Sequence, residues 1–231
     1  MIVRVIDLAI IGTVAFCAWR GYRNGLIRGA FGVVALIVSL FIANVAATAY
    51  SEEFTGMLKP FISGIIETTI TTMKEDEITY KPSEHDHEIK TEEFRTAYTA
   101  LRQLGLPEAS SVRVAELSFE DSEEGYIADI IADKLSSVLA FVAVFGIAFI
   151  LLAIIFAVVG NLIGFVFSLP GLKIVDAVTG VILGVAKGFI IVLALAVVVR
   201  YFGLLVSSTL EETNVLSYIV NNNAIADMLG L

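Results

Sequence analysis

Gly21-Tyr22-Arg23-Asn24-Gly25-Leu26-Ile27-Arg28-Gly29 and Gly180-Val181-Ile182-Leu183-Gly184-Val185-Ala186-Lys187-Gly188 echo each other. Each phrase holds three glycines four apart, with a basic residue just before the last, and each opens a long aliphatic run. Glycines at that spacing share one side of a helix and let a second helix approach closely. A basic residue at the edge of such a run reaches for headgroups. The two phrases therefore predict a polytopic, all-α membrane protein. Gly21, Gly25, Gly29, Gly180, Gly184 and Gly188 form its helix-packing faces, with Leu183 off that face. The positions 21/180, 25/184, 28/187 and 29/188 all differ by 159. The two helices then read as counterparts in one orientation, whether by duplication or by the chance likeness of glycine-rich segments.

The rest of the chain agrees. It has 231 residues, 57% of them hydrophobic, with a mean hydropathy of +0.86. Residues 29–50 and 135–169 carry no charge, and an uncharged apolar run of ~18 or more reads as a membrane span. Four spans are expected, near 3–19, 25–50, 135–169 and 176–201. The third run would reach roughly 50 Å as one helix, against a hydrocarbon core of ~30 Å. A break at Gly160-Asn161 is therefore expected, with Leu169-Pro170-Gly171 as the end. Arg20, Arg23 and Arg28 surround the first turn with no acid among them. They are cytoplasmic anchors by the positive-inside rule, which places both termini outside. The first segment is expected to stay as an uncleaved helix: Asp7 interrupts it, no small-x-small site precedes the arginines, and Phe16 before Cys17 is too bulky for a lipoprotein signal. The lone cysteine excludes an internal disulfide.

Charge divides the chain. Residues 51–134 hold 19 acids and 8 bases, and the remainder holds 5 acids and 7 bases. An acidic extracytoplasmic insert is expected there, between a membrane hairpin (1–50) and a second membrane pair (135–203), followed by an amphipathic tail (204–231). Ser51-Glu52-Glu53 reads as a helix start, kinked or restarted at Pro60. Residues 73–90 read as a polar loop and 91–104 as an amphipathic helix stopped by Gly105. Residues 112–119 read as a short strand, and a further helix begins at Asp121 or Ser122. The tail is expected to be helical and to lie on the surface. Nothing is basic enough for nucleic acid.

A few polar residues stand out at membrane depth. Asp7 and Arg200 sit at comparable depth and either pair or snorkel separately. Asp176 is either a solvated helix-start acid or an ion-pair or cation site. Lys187, in mid-helix, is a snorkelling anchor or a transport-site lysine. Asn161 and Asn44 are further polar groups. The glycine faces, with Gly160/Gly164/Ser168 as a third, pack within one bundle or between copies. His85 and His87, among acids, are solvated or bind a metal. Cys17 is a small packing residue.

Asp7, the 20–25 turn with Arg28, and the Asp176…Gly180…Gly184…Lys187-Gly188 segment resemble the CvpA family, the colicin V production proteins of bacterial inner membranes. The resemblance covers the membrane segments and omits the acidic insert. It implies a four-helix inner-membrane protein connected with toxin production or export. A non-enzymatic scaffold or accessory follows, with no cofactor or metal. Its partners would be the lipid bilayer, an unidentified envelope protein and, in a homo-oligomer, a second copy. The alternative is an oligomeric channel or transporter for a small solute or ion, with Asp7, Asn44, Asn161 and Asp176 along its path. No nucleophile–base pair points to an enzyme.

Overall fold

The computed structural model describes residues 2–73, 92–120, 125–166, 173–202, 214–221 and 223–230, and every regular element among them is an α-helix. In chain order these are α1 (Ile2–Thr72), α2 (Glu92–Gln103), α3 (Glu108–Glu120), α4 (Ile127–Val166), α5 (Lys173–Phe202), α6 (Asn214–Asn221) and α7 (Ala224–Leu229). Three of them, α1, α4 and α5, are long and apolar enough to cross a bilayer.

Their side chains are sorted by size. On α1, Ala35, Ser39, Ala43 and Ala47 are buried four residues apart, while Val34, Phe41 and Val45 face outward. On α4, Ile147, Ile154 and Val158 are exposed, as are Ile182 and Phe189 on α5. Small residues inside allow close packing, and a continuous apolar exterior is a surface for lipid. Hydroxyls on α1 bond back to their own helix: Ser39 donates to the Ala35 carbonyl at 2.8 Å and Thr48 to that of Asn44 at 3.0 Å.

Gly25 is the one non-helical residue within α1 (φ 73°, ψ −175°). Contacts with α5 show what it does. Before it, Gly21 faces Gly180 and Gly184, Gly184 faces Cys17 and Ala18, and Gly188 faces Val14. These numbers fall on α1 as they rise on α5, so the two run antiparallel. After it, Gly29 meets Leu183 and Gly32 meets Lys187, so the chain runs parallel to α5. The chain thus doubles back at a single residue, and the expected turn has no further length. α4 packs on the second half of α1, where Gly160 lies on the Phe31 ring, and on α5, where Gly146 lies on Val198.

Several expected boundaries are absent. No helix starts at Ser51, because residues 26–72 are one helix of about 70 Å at ~1.5 Å per residue. Pro60 is carried without a break; it is exposed, as is Gly56, whose carbonyl loses its partner. α4 is continuous through Gly160-Asn161 for 40 residues. A broken backbone in lipid would leave polar groups unmet, and this glycine instead admits Phe31. The expected strand at 112–119 is helical, part of α3: Ser111, Val114, Ala115 and Ser118 are buried at helical spacing. The expected loop at 73–90, the Leu169-Pro170-Gly171 end and the start at Asp121 or Ser122 lie outside the described residues, Met73 apart.

α1 and α4 outrun any bilayer and carry the small helices at the end away from Gly25. Lys59 and Asp133 join them there at 2.6 Å, both about half exposed (45% and 49%), so the pair adds little stability. α2 has Glu92 and Glu93 in its first turn and Arg102 in its last, matching its dipole. It stops at left-handed Gly105 (φ 92°) as expected. The tail departs from its expected surface position. Leu216, Ile219, Val220, Ile225 and Ala226 are buried in the same core as Phe94, Leu101, Ile131 and Tyr201.

Candidate functional site

The bend has its own chemistry. Breaking α1 at Gly25 restarts a helix at Leu26, whose N–H has no partner within its own helix. Asp176, in the first turn of α5, supplies one: its carboxylate accepts the Leu26 N–H at 2.7 Å. A Cβ on Gly25 would strike that carboxylate. Asp176 is therefore a cap provided by another helix, at the positive end of the helix it caps.

The two glycine phrases meet. A Cβ on Gly21 would strike the Gly180 carbonyl, one on Gly180 the Gly21 carbonyl, and one on Gly184 the Cys17 carbonyl. Gly188 rests on Val14 and on Cys17, which packs there as expected. Gly29 sits under Leu183, so Leu183, expected off the contact face, belongs to it. Of the third set, Gly160 packs against Phe31, and Ser168 lies outside the described residues. The faces at Gly21–Gly25 and Gly180–Gly188 are thus filled within one chain.

Beside this contact, both halves of α1, α4 and α5 enclose a cavity of about 390 Å³. Its wall holds Arg20, Asn24, Arg28, Asn161 and Lys187, and its remaining surface is apolar. The structure so brings together four of the residues singled out in the sequence: Arg20, Arg28, Asn161 and Lys187. Arg23 is apart, with its guanidinium 5.5 Å from the Trp19 ring centre. Among the described residues, no acid pairs with Arg20, Arg28 or Lys187.

Comparison with known families matches residues 6–73 and 118–224 to the colicin V production protein. The chain belongs to the colicin V production family. The matched residues contain the bend, the glycine contact and the whole cavity. Residues 74–117, which hold α2 and most of α3, lie outside the match. No curated protein and no solved structure matches the chain.

In this colicin V production-type membrane protein the charges at the other end do not pair with each other. Asp7 accepts the Leu216 N–H at 3.3 Å. Arg200, only 4% exposed, donates from Nε to Ser110 Oγ at 2.7 Å and lies 5.5 Å from the Tyr201 ring centre. Asp7 thus holds α6, and Arg200 holds α3. Arg113 on α3 donates twice to the Gly230 carbonyl, at 3.0 and 3.3 Å, and Asn223 caps α7 while its amide donates to the Leu193 carbonyl at 2.9 Å. Sequence reasoning passed over Asn24, Ser110, Arg113 and Asn223. Asn223 had a legible signal, an Asn before a short apolar helix closed by Gly230. The histidine pair at 85 and 87 lies outside the described residues.

Proposed function

We propose that this membrane protein is a non-enzymatic scaffold or accessory of toxin production or export. It crosses the inner membrane four times, with residues 51–134 and both termini outside. The observation carrying this reading is mechanical: α1 and α4 pass unbroken from the apolar bundle into the polar end. There the links Arg200–Ser110, Arg113–Gly230 and Asn223–Leu193 clamp α3 and the tail onto α5. A surface so held moves with the membrane helices, which suits a platform for an envelope protein partner. Four crossings follow if each half of α1 spans. Sidedness rests on Arg20, Arg23 and Arg28 around the bend, opposite the acidic residues. The channel reading is weaker, since Asp7 and Asp176 accept backbone N–H groups at opposite ends of the bundle and neither lines the cavity that holds Asn161. With Gly21, Gly25, Gly180, Gly184 and Gly188 occupied inside the chain, a second copy would dock on another face.

The test uses bacteria that make colicin V and lack their own family member. The full chain should restore secreted toxin, and Arg200→Gln with Arg113→Gln, which unclamps α3, should not. The purified protein in liposomes should pass no more ions than protein-free vesicles. Ion flux lost on Asp7→Asn or Asp176→Asn would replace the scaffold by a channel.

A further inference from the structure

The cavity has a polar end and an apolar end. Asn24, Arg28, Asn161 and Lys187 lie toward the Gly25 bend, while Leu36, Phe149 and Leu195 lie deeper along the same helices. Arg28 to Leu36 covers about 12 Å of helix and Asn161 to Phe149 about 18 Å. The cavity therefore grades from cationic to hydrocarbon-like along one axis.

Three cations line this space with no acid to balance them among the described residues. The residues lining the cavity include no Asp or Glu. Asp176, the nearby acid on α5, is turned to the Leu26 N–H. Arg20 and Arg28 flank the bend, whereas Lys187 lies deeper, beside Gly32, where a cation is costly unless it reaches water or an anion. The cavity also opens sideways. Phe16 on α1 (55% exposed) and Ile154 on α4 (57% exposed) line it and face outward. What enters between them comes from the apolar surroundings of the bundle.

We propose that the cavity is a binding site for an anionic phospholipid, whose phosphate lies among Arg20, Arg28 and Lys187 and whose acyl chain runs past Phe31 and Ile191 toward Phe149. Arg forks grip phosphate oxygens, Lys187 adds a point charge, and the two amides donate to the remaining oxygens. About 390 Å³ is in the range of a ligand pocket, ~300–1,000 Å³, and takes a headgroup with part of one chain. Basic pockets between membrane helices are a known way of holding anionic headgroups. Gly32 makes room for it, because a side chain there would meet the Lys187 ammonium from 3.3 Å away. The site goes beyond the scaffold reading and depends on neither sidedness nor partner.

The test uses the full chain in a neutral detergent. It is titrated with phosphatidylglycerol, with phosphatidylcholine of the same chain length, and with inorganic phosphate, and bound molecules are counted by native mass spectrometry. Phosphatidylglycerol should saturate at one per chain. The other two should not be retained. Lys187→Gln and Arg28→Gln should each weaken it about tenfold, a change of ~1.4 kcal/mol. Arg23→Gln, whose cation lies over Trp19 outside the cavity, should leave it unchanged. Ala157→Trp blocks the mouth with every charge in place and should abolish binding even if a charge variant fails to fold. Equal binding of phosphatidylcholine would make the cavity a plain apolar groove. Equal binding of phosphate would make the occupant a soluble anion. An equal loss in Arg23→Gln would reduce the effect to surface charge. Each of these three results overturns the proposal.

Discussion

Asp176 works at a distance of 150 residues in sequence, completing a helix that its own segment does not belong to. Its removal should leave the first N–H of the restarted helix without its side-chain acceptor. Asp176→Ala is expected to cost about 1 kcal/mol, the usual value of a lost helix cap. Asp176→Asn keeps an acceptor oxygen and should recover most of that. Gly25→Ala should cost more than either, because φ 73° with ψ −175° is a conformation kept for glycine, costing a side chain ~1–3 kcal/mol, and the added Cβ meets the Asp176 carboxylate. Denaturant unfolding in detergent checks the order. Equal stability of Asp176→Ala and the parent would remove the cap from the account. The sequence singled out Asp176 and Gly25 separately, one as a polar residue at membrane depth and one as a packing glycine. What joined them was the bend, and a single positive-φ residue leaves no signal distinct from any other glycine in a glycine-rich turn. Asp7 and Arg200 show the converse. Their matching depth suggested one pair, but depth along two helices says nothing about which faces they present, and each faces a different partner.

The contact between the first half of α1 and α5 was legible at the level of elements. Glycines four apart predicted close approach, and the two phrases prove to be each other's partners. In Gly184→Leu the side chain must displace the Cys17 carbonyl, which should cost about 3 kcal/mol or more by overpacking and separation of the helices. Ile182→Leu, 63% exposed on the outer face, should change stability by no more than about 0.5 kcal/mol. Unfolding midpoints of the two variants decide it, and equal tolerance would mean the glycine contact is not formed. Where elements begin and end was less legible. Ser51-Glu52-Glu53 has the composition of a helix start, yet a helix already under way accepts serine and glutamate without stopping. Val112-Arg113-Val114 alternates like a strand over three residues. The longer set Ser111, Val114, Ala115 and Ser118 carries the helical period, and small polar residues hid it from a hydrophobic reading.

At the scale of the whole molecule, hydropathy sufficed for an all-α membrane protein. The cavity was not legible, because its cations come from the two halves of α1 and from α5, and only the fold puts Arg20, Arg28 and Lys187 around one space. The burial of the tail was equally hidden, since Leu216, Ile219 and Ile225 suit a membrane surface as well as a core. The central claim is that the bend lies on the cytoplasmic side and that the insert stands outside. Single cysteines at Ser83 in the insert and at exposed Tyr22 beside the bend, each with Cys17→Ser, test it through an impermeant thiol reagent on intact cells. The account predicts that Ser83→Cys is labelled at once and Tyr22→Cys only after permeabilisation; the reverse pattern, or labelling of both before permeabilisation, would contradict it.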